Sequence, residues 1–127
     1  MGFQIIGADW RYVYVNPAAA GHGRRSVNEL VGRTMMETYP GIEGTPLFAV
    51  LKRSMEQRTS EIHENFFTFP DGDARWFEIR VEPVQEGICV YSLDIHERKI
   101  RDLQAQKRAE ELEKELHIPL RRLLWRT

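Results

Sequence analysis

The sequence contains one cysteine, Cys89, in the apolar run of residues 88–91. An internal disulfide and a multi-cysteine metal site are both excluded by that count, and a reducing, cytoplasmic setting fits it. No apolar stretch is long enough to span a bilayer. Met1-Gly2-Phe3-Gln4-Ile5-Ile6 lacks the basic start of a signal peptide and the Ser/Thr of a myristoylation site, so the chain reads as soluble with no membrane partner. A formal net charge of -1 gives no long-range field toward nucleic acid, and Arg24-Arg25 and Arg121-Arg122 are too isolated to form a basic binding surface. Internal repeats and low-complexity tracts are absent, as are GxSxG, HExxH and Ser/His/Asp arrangements. Gly21-His22-Gly23-Arg24-Arg25 lacks the third glycine of a phosphate loop and is read as a plain loop.

What is present is an ordinary globular composition, 42% hydrophobic and 29% charged over 127 residues, enough for one core and an appendage. Residues 1–96 hold 9 Lys/Arg against 13 Asp/Glu, and residues 97–127 hold 9 against 6, which divides an acidic body from a basic tail. The expected organisation is a domain over 1–96, a helical linker over 97–118, and a linker end or the start of a downstream domain over 119–127. The chain begins almost inside a strand and stops at Trp125-Arg126-Thr127, as a fragment of a longer protein would.

Residues 3–8 and 10–16 read as two strands hinged at Asp9. Asn16-Pro17 places a capping side chain before a proline at the first helical position, and Ser26-Val27-Asn28-Glu29 is a capping box. With residues 34–39 these make three short helical pieces over the sheet. Thr45-Pro46 repeats the cap and proline ahead of the longest helix of the body, to about Gln57, with Leu47, Val50, Leu51 and Met55 on one face. Strands over 61–69, 74–83 and 88–95, separated by Pro70-Asp71-Gly72-Asp73 and Glu86-Gly87, complete an α+β chain with an antiparallel sheet.

From Glu97 the pattern is helical and charged, with Glu97/Arg101 and Glu110/Lys114 spaced for favourable pairs. Ile100 and Leu103 share one side and are expected to anchor the helix on its domain. Ala105, Ala109, Leu112 and Leu116 follow a 4-3-4 spacing on the other side, a seam suited to the same helix of a second copy. Pro119 is expected to break or kink this helix.

Four segments, in order, carry a resemblance: Tyr12-Val13-Tyr14-Val15-Asn16-Pro17-Ala18-Ala19, Asn28-Glu29-Leu30-Val31-Gly32-Arg33, Arg75-Trp76-Phe77-Glu78-Ile79-Arg80-Val81-Glu82-Pro83, and Asp94-Ile95-His96-Glu97-Arg98-Lys99. Together they resemble the landmarks of a PAS domain, the sensory module of bacterial signal-transduction proteins, over residues 3–99. The resemblance implies a five-stranded antiparallel sheet with short helices on one face, enclosing a pocket in many members. It implies a non-catalytic sensor or dimerisation unit whose C-terminal helix carries output to a fused histidine kinase, diguanylate cyclase, phosphatase or transcription factor. Members commonly have Asp-Ile-Thr at the exit where this chain has Asp94-Ile95-His96. Asp94 and Arg98 match the family's acidic and basic positions, so a clasp between them is expected. Asp94, His96 and Arg98 are the relay candidates, with His96 read as a solvated, inert histidine or, in the alternative, as a pH-sensitive hinge.

A haem-binding member needs an axial histidine, usually on the long helix, and residues 45–57 have none. Flavin-binding members carry Asn-Cys-Arg in the helical cap, which here has no cysteine. Both cofactors are disfavoured, and Cys89 reads as core. Alternation over residues 74–83 puts Phe77, Ile79 and Val81 on one face and Trp76 on the other. Leu47, Leu51, Met55, His63, Phe67, Phe77, Ile79 and Tyr91 are the candidates to surround a small ligand, or equally to form solid core. Trp76, outside that core, asks for cover by the exit helix or a second subunit. His117, ahead of Ile118-Pro119-Leu120, offers an alternative phosphorelay role, although kinase motifs place that proline later.

Overall fold

The structure, a computed structural model, describes residues 1–117. It resolves into two units, Met1–Asp94 and the segment beginning at Ile95. The expected break of the helix at Pro119 and the 119–127 segment lie outside the described residues.

The body is one five-stranded antiparallel sheet, β1 (Gly2–Gly7), β2 (Tyr12–Val15), β3 (Glu61–Thr68), β4 (Ala74–Val84) and β5 (Gly87–Asp94), in the order β2-β1-β5-β4-β3. β1 and β5 are neighbours although they stand at opposite ends of the body. The first and last strands therefore form the middle of the sheet, and the chain leaves from a buried central strand.

Four helices and a 3-10 turn bridge β2 to β3: α1 (Pro17–His22), α2 (Val27–Leu30), α3 (Met35–Thr38), the turn Ile42–Gly44 and α4 (Pro46–Gln57). Their starts follow from local chemistry. Asn16 Oδ1 accepts from Ala19 N at 2.8 Å and also from Phe3 N at 2.9 Å, so one cap both opens α1 and ties it to β1. Ser26 and Glu29 form the reciprocal box of α2, and Thr34 and Thr45 cap α3 and α4. Each such cap is worth about 1 kcal/mol. The Ile42–Gly44 turn was not expected from sequence; three residues leave no period to read.

The core lies between this helical layer and one face of the sheet. Ile6, Leu30, Leu51, Val81 and Ile88 are essentially inaccessible, and Phe77 and Ile79 join them as alternation requires. Cys89 is buried, 5% exposed, in keeping with its reading as core. The second strand is shorter than expected because Trp10 adopts φ 69, a left-handed conformation that delays the ladder to Tyr12.

The second unit contains α5 (His96–Leu116), a helix of 21 residues. It ends two residues earlier than expected, with His117 in the left-handed conformation and its N–H donating to Glu113 O. Among the described residues no helix is long and apolar enough to cross a membrane.

Candidate functional site

Between the sheet and the helical layer lies a small inner cavity of about 90 Å³. Its walls come from β1 (Gln4), α1 (Ala19, His22), α2–α3 (Leu30, Met35), α4 (Leu47), β3 (Asn65, Phe67), β4 (Phe77, Ile79) and β5 (Ser92). Of the eight residues named from the sequence, Leu47, Phe67, Phe77 and Ile79 are among its walls. The other four are not. Leu51 is packed solidly in the core, 1% exposed, and Met55 lies at the core's margin. His63 pairs with Ile79 across the β3–β4 ladder, half-buried, but outside the cavity. Tyr91 alternates with Ser92 and Val90 and so points to the opposite face, where it packs against Phe3 with ring centroids 5.1 Å apart.

The polar end of the cavity was missed in the sequence. His22, read as loop, is the last residue of α1, and its Nδ1 shares a 2.8 Å hydrogen bond with Ser92 Oγ, with its ring 5.1 Å from that of Phe77. Gly2 makes this contact possible: a Cβ there would stand 2.2 Å from Ser92 Oγ and 2.9 Å from Ala19 Cα. Burial holds the His22 imidazole below its ordinary pKa; Asp94 pulls the other way and the N-terminal ammonium adds to the lowering. Tyr12 and Tyr39 keep their phenol protons, burial pushing both pKa values up. No carboxylate, Lys or Arg is among the lining residues described. The lining therefore suits water or a small uncharged molecule.

A second hollow opens outside it. An open groove of about 620 Å³ runs between residues 23–25, the 38–45 segment and the β3–β4 hairpin. Gly23, Tyr39, Ile42 and Phe67 wall both spaces. Tyr39 is the partition: its hydroxyl donates to Gly23 O at 3.5 Å and its ring meets Phe67 edge-on at 5.9 Å.

The strand leading out of the body ends at Asp94, two residues past Ser92. Asp94 Oδ2 accepts from Arg75 Nε at 3.0 Å, so β4 holds the strand end. His96 is half-buried and Arg98 exposed in the first turn of α5, which starts after Ile95 without a side-chain cap. Trp76 stands on the outer face of β4, half-buried, its ring 4.9 Å from that of Phe66, which is itself 52% exposed. Along α5, Ala105, Leu112 and Leu116 are exposed and Ala109 is buried. Ile100 is half-buried, but Leu103, expected to share its anchoring role, is 43% exposed.

The order of elements and the central position of the last strand are matched by known proteins. Residues 1–100 match the model of the PAS fold family. Among solved structures, the chain is similar to a sensory box histidine kinase/response regulator from Burkholderia thailandensis, at 19% identity and TM-score 0.67, covering 89% of this chain and 90% of that one. It is similar to a domain of the sensory box sensor histidine kinase/response regulator from Geobacter sulfurreducens, at 21% identity and TM-score 0.58, over 73% and 82% of the two chains. An RNA-binding light-oxygen-voltage receptor aligns at 22% identity and TM-score 0.69, covering 92% of this chain and 35% of that one. No curated protein matches the sequence. At these identities the structural likenesses speak to the fold, and the family match over residues 1–100 makes the further statement: the chain belongs to the PAS fold family.

Proposed function

We propose that the chain is a cytoplasmic sensory and dimerisation module, which relays the state of its body through the C-terminal helix to an output domain such as a histidine kinase, diguanylate cyclase, phosphatase or transcription factor. The observation that supports this most directly is the His22–Ser92 hydrogen bond, because Ser92 belongs both to the cavity wall and to the strand that leaves the body. A small uncharged guest competing for His22 or Ser92 changes the hold on β5 close to Asp94, and a change of that hold is a bias between two arrangements of the following segment. Asp94, His96 and Arg98 form the joint in this reading, with Arg75 fixing its strand side.

Two copies associate in this proposal through Ala105, Leu112 and Leu116 of α5, with Trp76 and its neighbour Phe66 as a second apolar contribution on the sheet. Light scattering on the full chain tests it. The expected mass is that of a dimer, converted to monomer by the double substitution Leu112→Lys and Leu116→Lys while circular dichroism stays unchanged. A wild-type monomer, or a variant that remains dimeric, would remove the helix from the relay.

A further inference from the structure

The geometry points to the outer groove as a second binding site, for an aromatic carboxylate, whose anion position is occupied by Asp71 and Asp73 of the β3–β4 turn when the ligand is absent. This goes beyond the sensing role proposed for the inner cavity and uses different residues.

The groove has the size of a ligand pocket, about 620 Å³ against the few hundred to a thousand typical of small-molecule sites. Its wall is aromatic, with Tyr39, Phe67 and Phe69, and one guanidinium lies flat on it: Arg24 Cζ stands 3.6 Å from the centroid of Phe69. Stacking fixes the plane of the guanidinium and turns its edge, which can make hydrogen bonds to carboxylates, away from the ring. Two carboxylates are there already. Arg24 donates through Nη1 to Asp71 Oδ2 at 3.1 Å and through Nη2 to Asp73 Oδ2.

These internal partners are exposed to water, although the Arg24 hydrogen bond holds the Asp73 carboxyl below its ordinary pKa. Both Asp side chains are largely exposed, 66% and 51%, and each is shared with the turn: Asp71 Oδ1 accepts from Asp73 N and Asp73 Oδ1 from Ala74 N, each at 2.9 Å. Exposed pairs of this kind are weak. A carboxylate that also brings an aromatic ring to the half-buried Tyr39 and Phe67 adds ring burial that an aspartate cannot offer, and so displaces one of them; Phe69 is already covered by Arg24. Arg25 stands at the rim as well, donating to Thr38 O at 3.2 Å and paired with Glu29 at 3.6 Å.

Titration of the full chain with phenylacetate at low salt, with phenylacetamide as the neutral control, tests this by calorimetry or by shifts of the backbone amides of residues 69–74. Phenylacetate is expected to bind and phenylacetamide to bind more weakly. Asp73→Asn removes one of the two internal competitors, leaving Asp71, and is expected to tighten phenylacetate by about two- to fivefold, the range an exposed ion pair corresponds to. Arg24→Gln abolishes the preference for the anion, and Arg24→Lys, which keeps the charge but not the planar fork, loses most of it. Ser92→Ala, in the inner cavity, leaves the titration unchanged. The assignment is overturned if phenylacetate fails to bind, if Asp73→Asn weakens or does not alter binding, if Arg24→Gln retains the preference, or if Ser92→Ala removes binding, which would move the ligand to the inner cavity.

Discussion

The inner cavity and the outer groove share four wall residues and differ in almost everything else. The inner space is small, lined by neutral side chains, and touches β5 through Ser92. The outer one is about 620 Å³, carries Arg24, Arg25 and Asp71 on its walls, and touches β5 nowhere among its described lining. The difference assigns them different chemistry: burying a charge in the inner cavity leaves it without an ionic partner, whereas the groove offers guanidinium groups in contact with water. It also assigns them different leverage, since only the inner cavity is walled by the strand that leaves the body.

The largest effect that separates the two concerns their walls. Phe77 is 5% exposed and supports the His22 ring, so Phe77→Ala is expected to lower stability by about 3–5 kcal/mol in a denaturant titration, as a core aromatic does. Phe66, half-exposed on the other sheet face, should lose far less on the same truncation.

Gly2→Ala comes next. Its new Cβ collides with Ser92 Oγ and the Ala19 backbone, which should cost about 1–3 kcal/mol and sever the His22–Ser92 bond. Gly23→Ala meets only the end of Tyr39, its hydroxyl at 2.1 Å, and is expected to swing that ring and join the two hollows at smaller cost. A larger guest volume in the variant, read by xenon or small-aromatic uptake, checks this.

Smaller still is the contribution of His22 to pH dependence. Its folded pKa lies below the ordinary 6.5, so the unfolded chain binds more protons in between. Its contribution to stability is complete above about pH 6.5 and declines as pH falls toward the folded pKa. Denaturation midpoints compared between wild type and His22→Gln should converge as pH falls through this window; a parallel pair of curves would show that His22 is not the titrating group.

Much of this fold is written locally. Asn16-Pro17, Ser26–Glu29 and Thr45-Pro46 announce their helices because a cap needs only residues three positions apart, and the strict alternation of 77, 79 and 81 announces its face. The PAS resemblance over residues 3–99 corresponds to the family match over 1–100. The site was less legible. Tyr91 was misassigned because the first residues of β5 are buried on both faces, so burial carries no alternation there. His22 acquires its role only when β5 is placed beside α1, a contact across 70 positions of sequence. Arg75, likewise, meets Asp94 through the β4–β5 pairing, a contact that no local spacing announces.

The claim that the inner cavity is read out through β5 is tested most directly by the distance between the α5 helices of two copies. A spin label at Glu115→Cys, in a Cys89→Ser background, reports that distance by pulsed electron resonance in the full chain. Breaking the His22–Ser92 bond with Ser92→Ala is expected to shift or broaden the distance distribution, whereas Arg24→Gln in the outer groove leaves it unchanged. An identical distribution for wild type and Ser92→Ala would contradict the relay.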